Sequence, residues 1–224
     1  MSGRHGATAG RDPQAGAESA ESFWEPHYAA KRPGPVGPNA VLLDVAGRLA
    51  AGRALDLGCG HGGDALWLAG HGWDVTAVDI SATALNRVAQ RAAEAGLAER
   101  VHTVKHDLSA SFPPGPFDLV SAQYFHSPVA MNRPTVLARA AAAVDEDGML
   151  LVVDHASVAP WSWGDPDTVF PTPLQTLDGL DLDLRQWEEA CLENRDRMAV
   201  GPGGQRATVT DTIIALIRRP GGSG

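Results

Sequence analysis

The stretch that most constrains the fold is residues 55–69. A short apolar run ends at Leu57, glycines follow at positions 58, 60, 62 and 63, and an apolar helix-like pattern covers residues 65–69. This succession predicts a strand, a tight turn and the start of a helix. Because glycine has no Cβ atom, a ligand can approach the backbone of the turn closely. The free N–H groups of the helix start can meet an anion or a polar ligand. The turn therefore predicts a site for a nucleotide-type cofactor.

Strand and helix patterns alternate on both sides of this turn. Strand patterns cover residues 54–57, 73–79, 101–105, 117–122 and 149–154, and helix patterns cover 41–49, 62–70, 82–95 and 132–144. Asn39 and Ser81 are the predicted N-caps of the first and third of these helices. Alternation at this spacing favours right-handed crossovers and parallel strands with helices on both faces. Residues 185–198 and 206–218 predict an antiparallel hairpin at the sheet edge. The prediction is an α/β fold with a mainly parallel, seven-stranded sheet and a C-terminal antiparallel hairpin.

Composition divides the chain into one folded domain with two short flanks. At 224 residues, the length suits a single domain. Residues 1–20 are rich in Gly, Ala and Ser and predict a disordered leader, and residues 220–224 a flexible tail. Within the domain at 21–219, residues 21–50 predict an N-terminal flap and helix. Residues 155–183 begin with a stretch that lacks a regular pattern, and they predict a lid or substrate loop.

Charge and hydropathy exclude several classes of function. The net charge is −9, so nucleic acid is not an expected partner. No apolar stretch is long enough to span a membrane, and the N-terminus lacks the apolar region of a signal peptide. Cys59 and Cys191 do not make a disulfide framework. His126, His155 and Asp154 are residue types that can ligate a metal, but sequence spacing does not show that they converge, and no metal site is predicted. We expect a cytoplasmic protein that acts on a small molecule as a monomer or homodimer.

The glycine turn alone leaves the cofactor open. Gly58-x-Gly60-x-x-Gly63 followed by Asp79 satisfies the dinucleotide fingerprint, and an NAD-dependent oxidoreductase is one interpretation. The turn sits behind a helix, past residue 50, and a second acidic strand end follows at Asp107, which disfavours that interpretation. The Tyr-x-x-x-Lys pattern of short-chain dehydrogenases is also absent from the sequence. A non-catalytic, cofactor-binding sensor or partner subunit is the other alternative.

Five segments together carry a more specific resemblance. They read ALDLGCGHGGDALWLA, WDVTAVDIS, HDLS, FDLVSAQYFH and GMLLVVDH. From about Phe23 to Arg219 the chain resembles the class I S-adenosylmethionine-dependent methyltransferases, and among them small bacterial members related to the tellurite-resistance and thiopurine methyltransferases. The resemblance implies a Rossmann-like fold and methyl transfer from S-adenosylmethionine, with S-adenosylhomocysteine as the product, to a thiol or chalcogen, hydroxyl or amine. His61 stands where many relatives have an acidic residue.

The resemblance also implies which residues bind the cofactor. It places the methionine part at Asp56, Gly58 and Gly60, the ribose hydroxyls at Asp79, the adenine ring at Ile80, Asp107 and Leu108, and the sulfonium above Ala122 and Gln123. A carboxylate suits the ribose because it only accepts hydrogen bonds.

Two histidines and six aromatic residues are candidates for the acceptor side. In-line displacement depends strongly on positioning of the nucleophile, and thiols need no dedicated base. For a hydroxyl acceptor, His126 and His155, after the fourth and fifth strands, are the candidate catalytic bases. Aromatic side chains suit both a sulfonium and a planar acceptor, and the predicted wall comprises Trp24, Tyr28, Tyr124, Phe125, Trp161 and Trp163.

Overall fold

The computed structural model describes residues 19–30, 36–162, 165 and 167–221. The helices are α1 (Ala20–Ala30), α2 (Ala40–Ala46), α3 (Gly63–Gly70), α4 (Ala82–Glu94), α5 (Arg133–Ala142) and α6 (Pro173–Asp178), with a 3₁₀ turn at Leu184–Gln186. The strands are β1 (Arg53–Leu57), β2 (Asp74–Asp79), β3 (Val101–Lys105), β4 (Phe117–Gln123), β5 (Val144–His155), β6 (Trp187–Val200) and β7 (Arg206–Arg218). Among the described residues, no helix has the length and apolar character needed to cross a bilayer.

All seven strands form one sheet in the order β3-β2-β1-β4-β5-β7-β6. The first five strands are parallel. Strand β7 pairs antiparallel with β5, and β6 pairs antiparallel with β7 at the outer edge. The predicted mainly parallel, seven-stranded sheet with a C-terminal antiparallel hairpin is confirmed.

Helices cover both faces of the sheet because side chains of the central strands alternate between two buried clusters. In β1, Ala54 belongs to the cluster that includes Leu42 of α2, Leu68 of α3 and Val88 of α4. The adjacent Leu55 packs in the opposite cluster, with Val136 and Leu137 of α5 and Leu177 of α6. This two-sided burial holds the carboxyl ends of β1, β2 and β4 in fixed positions at one edge.

The helix starts follow the predicted capping chemistry with one exception. Ser81 accepts a hydrogen bond from the backbone N–H of Ala84 and caps α4 as predicted. Asn39 occupies the N-cap position of α2, but the prediction that its side chain caps the helix is wrong. Its backbone N–H and its side-chain Nδ2 donate instead to the carboxylate of Asp64, 2.6 and 2.7 Å away.

Two segments differ from the sequence prediction. Strand β5 begins at Val144 rather than at residue 149, because its start is an irregular, bulged pairing in which Phe117 and Leu119 of β4 face Val144 and Met149. The predicted lid at 155–183 is not irregular throughout. It contains the short helix α6, whose first turn is closed by a capping box between Thr172 and Gln175.

The predicted flanks lie mostly outside the described residues. Of the predicted leader, residues 1–18 are outside them, while Ala20 already belongs to α1. Part of the predicted flap, residues 31–35, is also outside, and so are Trp163 in the predicted lid and residues 222–224 in the predicted tail.

Candidate functional site

Three neighbouring cavities lie where the parallel strands end. The central cavity, of about 130 Å³, is lined by residues of α1, of the end of β2 and of the segments that follow β1, β2, β3 and β4, including Gly58, Asp79, Ile80, Asp107 and Leu108. The turn cavity, of about 320 Å³, shares Gly58 with it and extends along the glycine turn. The outer cavity, of about 440 Å³, shares His126 with the central cavity and extends toward α5 and α6. The carboxyl edge of an open parallel sheet is where such folds bind ligands.

Asp79, at the end of β2, joins the glycine turn to the start of α4. Its Oδ2 accepts a hydrogen bond from the backbone N–H of Gly60 at 3.0 Å, and its Oδ1 accepts one from Ser81 N–H at 2.9 Å. Two carboxylate oxygens offer about four acceptor positions. The carboxylate is therefore held in place by the backbone and retains acceptor capacity toward the central cavity.

The turn cavity holds two buried oxygens without partners. Within the described part of the chain, neither Asp56 Oδ2 nor Gln123 Oε1 has a hydrogen-bond partner, and both residues line this cavity. Buried polar groups in folded proteins are nearly always paired. An unpaired carboxylate oxygen and an unpaired amide oxygen in the lining of one cavity make an acceptor site for a donor-rich or cationic group.

Three buried carboxyl groups lie in or near this acceptor site: Asp56 and Asp64 line the turn cavity, and Asp79 lines the adjoining central cavity. Burial, followed by the neighbouring Asp64 and Asp79 charges, raises the pKa of Asp56 well above its ordinary range. Burial also raises the pKa of Asp64, which hydrogen bonds from Asn39 oppose, and that of Asp79, which backbone hydrogen bonds oppose. Like charges held together away from water disfavour ionisation. A positively charged ligand would remove that penalty.

Helix α1 covers the central cavity. The hydroxyl of Tyr28 lies 2.9 Å from the point where a Cβ on Gly60 would stand. Trp24 Nε1 donates to Ser127 Oγ at 3.3 Å, which connects α1 to the loop after β4. Glu25 accepts from the Ser81 hydroxyl at 2.7 Å and from the Thr83 hydroxyl, at the start of α4.

A His–Asp–Arg group lines the outer cavity, and its histidine also lines the central cavity. Nε2 of His126 is 3.0 Å from Oδ1 of Asp154, at the end of β5. Nη2 of Arg133 lies 2.6 and 2.8 Å from the two oxygens of the same carboxylate. Arg133 Nε donates to the carbonyl oxygen of Phe125 at 2.9 Å, which fixes the guanidinium group.

A second charged group lies where the end of β5 pairs with β7. The Tyr124 hydroxyl donates to buried Asp211 at 2.8 Å, and Arg197 pairs with the same carboxylate at 2.5 Å. The ring of His155 stacks on Tyr124 with 4.3 Å between centroids. Burial lowers the pKa of His155, which favours its neutral form.

The structure brings most of the predicted site residues to this edge. Trp24, Tyr28, Tyr124, Phe125 and His126 line the central cavity together with the predicted residues of the β2 and β3 ends. Ala122 is fully buried in the core. Trp161 lines a separate cavity of about 620 Å³ beside the hairpin, with Arg197 and Val209. Trp163 lies outside the described residues.

Sequence reasoning missed three residues that hold site groups in place. Arg133, Asn39 and Asp64 contact the site through bonds that span 21 to 25 residues of chain. Asp64 is an acidic residue in the first turn of α3. That position was the local feature of the sequence that could have drawn attention to it. Among the described residues, no three His, Cys, Asp or Glu side chains are grouped to hold a metal ion.

Fold and site together define a Rossmann-like α/β domain with a ligand site at the carboxyl edge of its sheet. Residues 54–148 match the family model described as a methyltransferase domain. The chain is 30% identical over 103 residues to the ubiquinone biosynthesis O-methyltransferase of Burkholderia orbicola, covering 46% of this chain and 44% of that protein. The chain thus spans less than half the length of this curated relative.

Solved structures of low sequence identity share the fold. A protein studied for the conversion of a disulfide bond into a thioacetal group during echinomycin biosynthesis aligns at TM-score 0.68 and 21% identity, over 92% of this chain and 94% of that one. TehB from Haemophilus influenzae aligns at 0.61 and 17%, over 90% and 67%. The glycopeptide N-methyltransferase MtfA, complexed with S-adenosylmethionine, aligns at 0.58 and 18%, over 83% and 88%. These structures share the Rossmann-like fold of this chain, and residues 54–148 match a methyltransferase domain.

Proposed function

We propose that this protein transfers a methyl group from S-adenosylmethionine to a small-molecule acceptor. The observation that carries the proposal is the pair of unpartnered buried oxygens, Asp56 Oδ2 and Gln123 Oε1, in a cavity that adjoins the Asp79 carboxylate. Both cavities share Gly58. One elongated ligand with an ammonium group at one end and a ribose further along would use both.

The turn cavity suits the amino-acid end of the cofactor. An ammonium group brings three donors and a positive charge, which match the two unpaired oxygens and the surplus of buried carboxyl groups. Asp56 would accept from the ammonium group, and Asp64, held by Asn39, would add negative potential behind it. This electrostatic match distinguishes S-adenosylmethionine from NAD, whose pyrophosphate is negatively charged and would be repelled by the same carboxylates.

The central cavity suits the adenosine end. Asp79 would accept from the ribose hydroxyls while its backbone bonds hold it in position. Ile80 and the buried Leu108 provide apolar contacts for the adenine ring. Asp107 already accepts from Ser109 N–H at 2.9 Å through Oδ1, which orients its carboxylate. Its second oxygen would accept from the adenine amino group.

The bound cofactor supplies a methyl group on a positively charged sulfur. The residues of this chain bind, orient and shield it: the acidic cavity draws in the cation, and Gly58 allows close approach at the junction of the cavities. Tyr28 and Phe125 place aromatic rings around the same junction, where ring faces favour a cation. Their positions fix the methyl group relative to an acceptor, and positioning supplies much of the rate in an in-line displacement.

Titration calorimetry with S-adenosylmethionine, S-adenosylhomocysteine and NAD tests the proposal. We expect micromolar binding of the first two ligands and none of NAD. Asp79→Asn removes the ribose-accepting charge and should weaken binding by about 10-fold to 100-fold, the loss of one charge-assisted hydrogen bond or more. The matched control is Asp74→Asn in the same strand, because Asp74 faces solvent in a pair with His102 and should leave the affinity unchanged. Binding of NAD alone would refute the assignment.

A further inference from the structure

We propose that the outer cavity binds an apolar acceptor carrying a phenolic hydroxyl, and that His126 is the catalytic base that takes the hydroxyl proton. The proposal rests on the proposed methyl transfer and names its acceptor class.

The outer cavity has the position and lining for such an acceptor. It shares His126 with the central cavity, whose lining also includes Gly58 and Phe125, so an acceptor bound at His126 would face the cavity that takes the cofactor. Its walls are mostly apolar, formed by Pro134, Leu137, Phe170, Pro171 and Leu180. Flat proline and phenylalanine side chains fit a planar ring, and His126, the residue shared with the central cavity, stands in the same lining with its partners Arg133 and Asp154.

The carboxylate of Asp154 faces one nitrogen of the His126 ring. Asp154 is 10% exposed, its carboxylate is fixed by Arg133, and its Oδ1 lies 3.0 Å from His126 Nε2. A carboxylate at this distance favours the tautomer with its proton on Nε2, which leaves the lone pair of the neutral ring on Nδ1. The His126 side chain is 51% exposed, so a proton taken from the acceptor can pass on to solvent.

His155, the other candidate base, is placed differently. Its Nδ1 is 3.9 Å from Asp211 Oδ1, beyond hydrogen-bond distance, and its ring is stacked on Tyr124. Arg197 already neutralises Asp211. The His155 ring therefore forms part of the wall of the outer cavity, without a carboxylate that orients it as His126 is oriented.

An oriented base matters for a hydroxyl and much less for a thiol. A thiol ionises near pH 8.5 and a phenol near pH 10, and the thiolate is also the better nucleophile. A phenol must lose its proton as it attacks, and general-base catalysis of such a step contributes about 100-fold to 10,000-fold. In this step the phenol oxygen bonds to the methyl carbon, the carbon–sulfur bond breaks with its electron pair left on sulfur, and the proton moves to His126 Nδ1. The products are an aryl methyl ether and S-adenosylhomocysteine.

The test compares 2-naphthol with 2-naphthalenethiol as methyl acceptors, by mass spectrometry of the methylated products. We expect the wild-type protein to methylate both. His126→Asn should lower kcat for 2-naphthol by about 100-fold or more and kcat for the thiol by only a few-fold. An equal loss on both acceptors, or wild-type turnover of the thiol alone, would refute the role of His126 as a base.

A second pair of variants tests the cavity itself. Thr176→Trp fills the outer cavity from α6, whereas Leu174→Trp places the same side chain at a position 62% exposed on the same helix. We measure binding of 2-naphthol by the change in its fluorescence. Thr176→Trp should abolish saturable binding, and Leu174→Trp should not. Equal behaviour of the two variants, or no naphthol binding by the wild type, contradicts the acceptor site. Calorimetry with S-adenosylhomocysteine separates the two proposals. If the wild-type protein binds this ligand but not 2-naphthol, the cofactor assignment stands and the acceptor site is wrong. If it does not bind S-adenosylhomocysteine, both proposals are wrong.

Discussion

At the scale of single residues, both the backbone conformation and the neighbouring Phe125 side chain favour glycine at position 58. Its φ is +66°, in the left-handed region, and a Cβ there would stand 2.9 Å from Cδ2 of Phe125. Gly58→Ala should therefore destabilise the protein by about 1–2 kcal/mol through the backbone conformation alone. It should also displace the Phe125 ring at the junction of the turn and central cavities. Urea denaturation measures the first effect, and calorimetry with S-adenosylhomocysteine the second.

Gly70 provides the matched control for this prediction. It ends α3, its φ is not positive, and a Cβ at this position would meet no atom within 4 Å. Gly70→Ala should leave ligand affinity unchanged and stabilise the helix by up to about 1 kcal/mol. If Gly58→Ala behaves in the same way, neither the left-handed backbone nor the contact with Phe125 requires glycine in the turn.

Residues differ in how far sequence alone can place them. Asp56 and Asp79 were predicted from the methyltransferase resemblance, and Asp79 also from its interval after the glycine turn. Their shared location is understandable because parallel strand ends lie at one sheet edge. The unpaired oxygen of Gln123 could not be predicted, because pairing depends on every neighbour in space. Arg133 was equally hidden: a residue at the first turn of a helix shows no sign in sequence that it fixes Asp154, 21 positions away.

At the scale of elements, helix α1 depends on α4 for its position over the central cavity. Glu25 accepts from the hydroxyls of Ser81 and Thr83 and from Thr83 N–H. Hydrogen bonds from Thr83, then Ser81, lower the pKa of Glu25. The docking energy is therefore present above the ordinary pKa of a glutamate and is lost as pH falls through the lowered one.

Glu25→Gln should loosen α1 while leaving the rest of the fold intact. We expect faster hydrogen exchange for the amides of residues 20–30, by a few-fold to about 10-fold, since one charge-assisted contact at such a site is worth about 1 kcal/mol. Glu21→Gln is the control, because the Glu21–Lys105 pair is exposed on both sides and such pairs contribute about 0–1 kcal/mol. Equal exchange in both variants would show that Glu25 does not hold the helix.

The elements themselves were predictable to different degrees. Strands β1 to β4 and helices α3 and α4 follow from apolar periodicity and glycine or serine boundaries, which are local signals. Helix α1 contains Pro26, which disfavours a helical prediction. Its helical form depends on docking against α4, a tertiary contact. The bulged start of β5 depends in the same way on pairing with β4.

At the scale of the whole molecule, the fold concentrates negative charge where its ligand would bring positive charge. Asp56 lies near the end of β1, Asp79 ends β2 and Asp64 lies in the first turn of α3, so a single sheet edge gathers three buried carboxyl groups. Without ligand, the ionised forms of these carboxyl groups repel one another. A cationic ligand is attracted to them. Stability of the free protein and affinity for the cofactor should therefore respond to pH in opposite directions.

The sign follows from the raised pKa of Asp56. Between its ordinary value of 3.8 and the raised one, the folded state binds more protons than the unfolded state, so this group's contribution to stability falls as pH rises. An asparagine at position 56 carries no such dependence. Asp56→Asn should therefore become more stable relative to the wild type as pH rises above the ordinary pKa of an aspartate, while the ammonium of the cofactor stays charged.

Bound S-adenosylmethionine should reverse this pH dependence of the wild-type stability, because ionised Asp56 pairs with the ammonium group. The rise in unfolding temperature caused by saturating S-adenosylmethionine should grow with pH in the wild type and stay nearly flat in Asp56→Asn. The difference between the two proteins cancels the contributions of acids elsewhere, such as Glu25, whose pKa is lowered. Parallel pH profiles for the two proteins, with and without ligand, would mean that Asp56 does not face the cationic end of the cofactor. Opposite profiles would show that the same carboxyl group that destabilises the free fold supplies its affinity.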